Sequence, residues 1–318
     1  MNPKWTDVAV VGAGTIGLAW AALFAHAGLR VRVTDPRDDL DAAIDEALPM
    51  LAESIPGAEV AVLRGRIEAT DDLAKAVENA QLVQENGPER VEFKQELFAE
   101  IARHAPAEAI LASSSSGIVA SAIAAELPEE VAARLLIAHP FNPPQVVPLV
   151  EIVPGTTAED VVQEAIAFYR DLGKTPVRIH KEVSGFVANR LQSALMRESI
   201  SLVQQGVVSA AELDTVMKAS LGGRYATIGP FESFHLGGGP GGIRHMMAHL
   251  GVGMADRWAE LGRPTLDEST IGSIVEQTES AYGAGPEAYQ ERARLRDRKH
   301  NALNDALSGV EAGATESI

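Results

Sequence analysis

The chain has 318 residues, 46% of them hydrophobic, enough for a sizeable core and suited to two domains rather than one. It contains no cysteine, which excludes disulfides, thiolate metal sites and a cysteine nucleophile. A net charge of −17 argues against a nucleic-acid partner, because gripping a polyanion needs a basic face.

The first residues, MNPKWTDVAVVGAG, carry no basic start, apolar run or small-residue cleavage site of the signal-peptide kind, so no secretory signal is expected. No run of apolar residues reaches membrane-spanning length, so no membrane partner is expected either. A cytoplasmic location is the simplest reading. Short apolar runs at 7–12, 31–35, 80–84, 109–113, 134–139, 146–153 and 175–179 read as strands. Helical periodicity at 15–28, 38–54, 90–104, 117–126 and 158–172 falls between them. This alternation predicts βαβ units around a largely parallel sheet, an α/β Rossmann-like N-terminal domain over residues 1–183. Beyond it, helical patterns at 186–206, 210–220, 242–261, 269–282 and 286–308 predict an all-α C-terminal domain over residues 184–318. The closing GVEAGATESI reads as a frayed tail.

The first strand runs into Gly12-Ala-Gly14-Thr15-Ile16-Gly17, which opens a helix. A lone GxGxxG is weak; between a strand and a helix it is a dinucleotide fingerprint. Gly12 permits the tight turn, Gly14 lets backbone approach a pyrophosphate, and Gly17 allows close helix–strand packing. The open N–H groups at Thr15 and Ile16 would face the phosphates. Asp35 closes the second strand, 18 residues after Gly17, where a carboxylate binds adenosine ribose hydroxyls. It would repel a 2′-phosphate, so NAD is expected rather than NADP. Arg37 is the nearby cation that a phosphate could use.

His139 ends the run RLLIAH, at the strand end where doubly wound sheets hold ligands. Such a histidine also reads as an ordinary turn residue. Glu151 raises its interest. That carboxylate sits in PLVEIV, sharing a strand face with Leu149 and Val153, and burial there is costly without a partner. A Pro-rich turn and a returning strand would bring the two together, and a His–carboxylate pair fixes an imidazole tautomer for proton transfer.

At these positions the sequence resembles the L-3-hydroxyacyl-CoA dehydrogenase family. The motifs are VGAGTIG (11–17), ENGPERVEFKQELF (85–98), SSSSG (113–117), HPFNP (139–143), PLVEIV (148–153), SGFVANRL (184–191) and GPFE (229–232). Within the family it is most similar to the lambda-crystallin and L-gulonate 3-dehydrogenase branch, through QENGPE, HPFNPP, KEVSGFVANRLQ and LGGRYATIGP, and carnitine dehydrogenase is similar around Arg224. The resemblance implies that His139 is the catalytic base, Glu151 its partner, and Ser116 and Asn189 the residues that grip the reacting oxygen. It places Glu89 and Lys94 beside the cofactor ribose. It also implies a homodimer. The family's Ser-Asn-Thr-Ser is Ser-Ser-Ser-Ser here, so Ser115 or Ser116 is the substrate-facing serine. From the residues alone, Ser116 also suits a helix N-cap, and Asn189 a helix terminus. Asn142 in the HPFNP turn and Arg224 are the candidate substrate contacts, Arg224 as a carboxylate clamp or else as an ordinary ion pair.

Other features read as structural. His245 and His249 share a helix face but lack the intervening glutamate of a zinc motif, and no metal is expected. GGGPGG (237–242) follows no strand and reads as an inter-helix connection. Residues 38–62 hold seven acidic residues and no Lys or Arg. In CoA-using members this helix is basic, so the expected substrate is a small free L-3-hydroxy acid of the L-gulonate or 3-hydroxybutyrate type, the alternatives being an L-3-hydroxyacyl-CoA such as 3-hydroxybutyryl-CoA, or carnitine. The rival from another class is a non-catalytic, crystallin-like NAD-binding protein.

Overall fold

The computed structural model describes residue 2 and residues 4–249 and 251–315. The chain forms two compact units, Met1–Arg190 with Arg294–Leu303, and Leu191–Ala293 with Asn304–Ile318. The first is built on eight strands: β1 (Asp7–Val11), β2 (Arg30–Thr34), β3 (Ile67–Thr70), β4 (Leu82–Glu85), β5 (Ile110–Ser113), β6 (Leu135–Pro140), β7 (Leu149–Val153) and β8 (Thr175–Arg178). Their order is β3-β2-β1-β4-β5-β6-β7-β8. The six from β3 to β6 are parallel, β7 returns antiparallel to β6, and β8 is parallel to β7. In β1, Val8 and Val10 join the core on one face while Ala9 and Val11 join that on the other. A sheet covered on both faces explains why the strands read as unbroken apolar runs rather than as alternation.

The helices of this unit are α1 (Thr15–His26), α2 (Leu40–Ser54), α3 (Val60–Arg64), α4 (Leu73–Val77), α5 (Val91–His104), α6 (Ala120–Ala124), α7 (Glu129–Ala132) and α8 (Glu159–Asp171). Trp20 and Phe24 of α1 stack at 5.4 Å, and Phe168 and Tyr169 of α8 meet edge-on at 5.2 Å. Each such ring contributes about 1.5–3 kcal/mol by leaving water. The Tyr169 hydroxyl, wholly buried, donates to Gln84 Oε1 at 2.5 Å, and burial raises its phenol well above the ordinary value.

Several elements depart from the sequence reading. β3 was not anticipated, because RIEAT offers only a four-residue run with a charge inside it; α3, α4 and α7 are single turns too short to show a period. The helix expected at 117–126 begins only at Ala120, because Ser115 Oγ takes the Ile118 N–H and holds the preceding residues as a turn.

α9 (Ala188–Gln204) leads into the second unit, followed by α10 (Ala210–Met217), α11 (Gly223–Thr227), α12 (Pro230–Gly237), α13 (Gly242–His249), α14 (Met254–Glu260), α15 (Glu268–Tyr282) and α16 (Gly285–Thr315). The α/β plus all-α architecture is the expected one. Ser209 and Glu212 form a capping box that starts α10. The single helix expected over 242–261 is two, parted at Gly251–Gly253, and α11 and α12 were not anticipated. GGGPGG links α12 to α13. The tail expected to fray is helical to Thr315, and residues 316–318 lie outside the described residues. Part of α16 belongs to the first unit: Asp297, buried, accepts from Ser54 Oγ at 2.7 Å, and Asn301 donates to the Ser54 carbonyl at 2.9 Å. No described helix is long and apolar enough to cross a membrane.

One buried cation braces the first unit. Lys174, between α8 and β8, donates to the Pro144 carbonyl and, at 2.9 Å, to the Val147 carbonyl, with its ammonium 5.7 Å from the Trp20 ring. Burial pushes it down to about 8. The unfolded chain therefore binds the extra proton between about pH 8 and the ordinary lysine value, and stability rises with pH across that window. Lys174→Met should lack this slope. Urea denaturation of wild type and variant at pH 7 and pH 10 should show their difference moving by about 2–3 kcal/mol in favour of wild type at the higher pH.

Candidate active site

The antiparallel return from β6 to β7 sets His139 directly opposite Glu151 in the strand register. Both are buried, at 5% and 1% exposure. His139 Nδ1 and Glu151 Oε2 lie 2.9 Å apart, and Glu151 Oε1 accepts the Val187 and Ala188 N–H groups at 2.9 and 3.1 Å. Burial alone would raise this carboxyl; the bond to His139 and those two N–H groups outweigh it and hold Glu151 below the ordinary carboxylate value. Its ionised form thus stabilises the fold at neutral pH, a contribution lost as pH falls below the usual carboxylate range. With Nδ1 committed to the carboxylate, Nε2 is the nitrogen left to exchange a proton. The Phe186 ring packs 5.4 Å from the imidazole.

The four serines between β5 and α6 have four different surroundings. Ser113 Oγ donates to Glu85 at 2.5 Å and Ser114 Oγ donates to Asn86 at 2.7 Å. Ser115 Oγ donates to Glu89 at 2.7 Å and lies 3.0 Å from the Ile118 carbonyl. Ser115 is therefore a poor substrate contact: its hydroxyl is buried and spent on the turn. Ser116 is exposed, and its carbonyl accepts from Asn189 Nδ2 at 3.3 Å, which brings these two candidates together. Ser116 is no helix cap, since α6 starts four residues later.

Glu89 and Lys94, expected beside the cofactor ribose, lie next to each other, with Lys94 Nζ 3.7 Å from Glu89 Oε2. Glu89 Oε1 gathers the Ser115 hydroxyl and the N–H groups of Ser116 and Gly117 at 2.7, 3.0 and 2.9 Å. Burial would raise this carboxyl, but those bonds and nearby Lys94 lower it. Lys94 is 1% exposed and pairs with Glu85 at 2.8 and 2.9 Å. In this structure it braces the serine turn from within instead of reaching a surface.

At the glycine turn, Gly12 has φ +97° and a β-carbon there would meet Asn86 backbone at 2.9 Å. A β-carbon on Gly17 would lie 1.9 Å from the Gly12 carbonyl oxygen, whereas one on Gly14 would meet nothing within 4 Å. Gly14 caps α1 without any side-chain acceptor, so the N–H groups at Thr15 and Ile16 stay open. Asp35 Oδ2 accepts the Ala13 N–H at 2.7 Å, fixing the carboxylate beside the turn. Arg37 pairs with Asp39 at 2.6 Å and so is not a free phosphate ligand. A cleft lined by Pro36, Arg37, Leu40, Ala69 and Thr70 adjoins Asp35.

Residues 7–183 match the family description "3-hydroxyacyl-CoA dehydrogenase, NAD binding domain", and residues 185–273 match "3-hydroxyacyl-CoA dehydrogenase, C-terminal domain". The chain belongs to the 3-hydroxyacyl-CoA dehydrogenase family. It is 38% identical to a 3-hydroxyacyl-CoA dehydrogenase of Gibberella moniliformis over 89% of this chain and 90% of the relative. It is 38% identical to an L-carnitine dehydrogenase of Nocardiopsis dassonvillei over 96% of this chain and 92% of that one. Among solved structures it resembles 5-formyl-3-hydroxy-2-methylpyridine 4-carboxylic acid 5-dehydrogenase, described as an NAD+-dependent dismutase, with a TM-score of 0.76, 29% identity, and coverage of 96% of this chain and 99% of that one.

The protein is thus an NAD-dependent dehydrogenase acting on CH–OH. The open space over Gly14, the exposed helix N–H groups and the anchored Asp35 fit that cofactor. Asn142 is exposed in the turn after β6, and Arg224 is exposed on α11 in the second unit, with no ion pair among the described residues. No described group of three or more His, Asp or Glu is placed to hold a metal. Sequence reasoning passed over Glu85, Asn86, Ser113 and Phe186. Glu85 carried a signal, a carboxylate closing an apolar strand, of the kind that singled out Glu151.

Gly17→Ala should lower NAD affinity at least about tenfold, since the β-carbon must displace the turn that approaches the pyrophosphate; quenching of protein fluorescence by NADH measures it. Asp35→Ala should weaken NAD and leave NADP nearly unchanged, and equal use of both cofactors by wild type would contradict the role given to Asp35.

Proposed function

We propose that the enzyme oxidises a small free L-3-hydroxy acid, of the L-gulonate, 3-hydroxybutyrate or carnitine kind, to the 3-keto acid, reversibly. The His139–Glu151 pair carries the chemistry in this reading. NAD, when bound, supplies the acceptor for the hydride leaving the hydroxyl-bearing carbon. His139 Nε2 takes the hydroxyl proton, while Nδ1–H stays on Glu151, whose charge balances the imidazolium. Ser116 and Asn189 hold the oxygen as it becomes a carbonyl, and Asn142 contacts the rest of the substrate. A non-catalytic role would give the buried His139–Glu151 pair no proton to exchange.

The preference for a free acid rests on charge. CoA carries phosphates that Lys and Arg usually grip. Over residues 38–62 the surface carries seven carboxylates. Arginines from outside temper it: Arg37 pairs with Asp39, Arg64 with Asp41 and Asp45, and Arg294 with Glu53. Those cations are consumed by the pairing and offer a phosphate little. The relatives named L-carnitine dehydrogenase support a free-acid substrate. The Gibberella relative's name favours the second reading, a 3-hydroxyacyl-CoA. Arg224 is the proposed carboxylate clamp. The helical unit leaves Phe231, Leu236 and Trp258 at 84%, 60% and 61% exposure, which supports a homodimer, since apolar surface of this extent favours a partner.

His139→Gln should lower kcat by about 10²–10⁴, the usual worth of a general base, with NAD affinity kept. Steady-state assays over free 3-hydroxy acids, carnitine and 3-hydroxybutyryl-CoA should give the highest kcat/KM for a free acid. A clear preference for the thioester would overturn the free-acid reading and leave the dehydrogenation intact. Arg224→Met should raise KM for the acid without a matching change for NAD.

A further inference from the structure

Among the described residues, Phe186 is the only non-glycine residue with a positive φ, +47°, and it follows Gly185 at +74°. L-residues avoid this region because the β-carbon crowds the backbone, so a position that keeps one there is held by what surrounds it. Phe186 is wholly buried in the core beneath the sheet. Two things depend on its conformation. The left-handed pair at 185–186 turns the chain so that the next two N–H groups, of Val187 and Ala188, both reach Glu151 Oε1. The same residue's ring lies against the His139 imidazole. Glycine at 186 would hold the turn with less strain but would supply no ring. A phenylalanine in an ordinary conformation would supply the ring without aiming the N–H groups.

We propose that Phe186 is a positioning residue for the reaction, setting the proton affinity of the His139–Glu151 pair from both sides at once. This rests on His139 being the base. The two N–H groups draw charge from Glu151, and the ring excludes water from the imidazole. Both contacts bear on the groups that exchange the proton, so the pH dependence of turnover reports on Phe186. Glu151 is the one charged group bonded to the imidazole among the described residues, so the readout is not shared with another ionisable partner.

The test is the pH profile of kcat/KM for oxidation of the best free 3-hydroxy acid, with Phe186→Leu and Phe186→Ala beside wild type and His139→Gln. Leucine keeps apolar bulk and is the variant to rely on if alanine does not fold. In Phe186→Leu the acidic limb should move by about half a pH unit or more, since one interaction of the pair is weakened. Its kcat/KM should fall about 10- to 100-fold through misplacement of the base. NADH affinity, read by fluorescence quenching, should stay within about twofold, because the glycine turn is untouched. An acidic limb that superimposes on wild type, whatever the loss of rate, overturns the proposal. If His139→Gln keeps wild-type turnover, the reading of His139 as base falls, and with it this one; an inactive His139→Gln beside an unmoved limb isolates the failure to Phe186.

Discussion

A carboxylate cannot stay ionised in a hydrophobic core unless something meets its charge, and Glu151 is the point where this chain meets that demand. Left alone it would cost several kcal/mol, on the order expected for an uncompensated buried charge. Three segments answer it: β6 with an imidazole, the start of α9 with two N–H groups, and the Gly185–Phe186 turn that aims them. The reversal of direction between β6 and β7 is what makes the first of these possible. In a wholly parallel sheet the neighbouring strand would arrive only after a long crossover, and the pairing of His139 with Glu151 across one rung would be lost.

A second polar system underlies the glycine turn. Tyr169, Gln84, Ser114 and Asn86 are linked in series from α8 through the ends of β4 and β5, and Trp20 of α1 joins the series at Ser114. Asn86 closes the series on the Val11 carbonyl with its backbone N–H, at the last residue of β1. The indole that donates to Ser114 is the same one that faces the Lys174 ammonium, whose other partners lie in the loop joining His139 to Glu151. Cofactor turn and proton-transfer pair thus share supports, and each buried donor in the series has a named acceptor, as burial requires.

The architecture was legible because its signals are long. Strand runs buried on both faces and twelve- to fifteen-residue helices such as α1, α2 and α8 repeat their pattern often enough to be read. What was lost is short: β3, α3, α4 and α7 have four or five residues each. The pairing of His139 with Glu151 could be suspected, because an acid in an apolar strand is a local anomaly. The fates of Ser115, Glu89 and Lys94 could not, because they depend on which side chains a turn brings within three ångströms. Lys94 is the clearest case: its burial against Glu85 follows from the fold and from nothing local in the sequence. Phe186 had no signal at all, since a left-handed backbone at a non-glycine residue leaves no mark in composition or period.

The serine run looks like low complexity and is the opposite. Ser113 serves Glu85, Ser114 serves Asn86, Ser115 serves Glu89 and the turn, and Ser116 alone keeps its side chain toward solvent. Identical letters here encode an address rather than a composition. Deleting any one of the four gives the same shortened sequence, and that sequence hands every later partner to the wrong hydroxyl. Substitution and deletion therefore part company in this segment: a change of one serine disturbs that residue's own partners, while the loss of one shifts the frame in which the run is read.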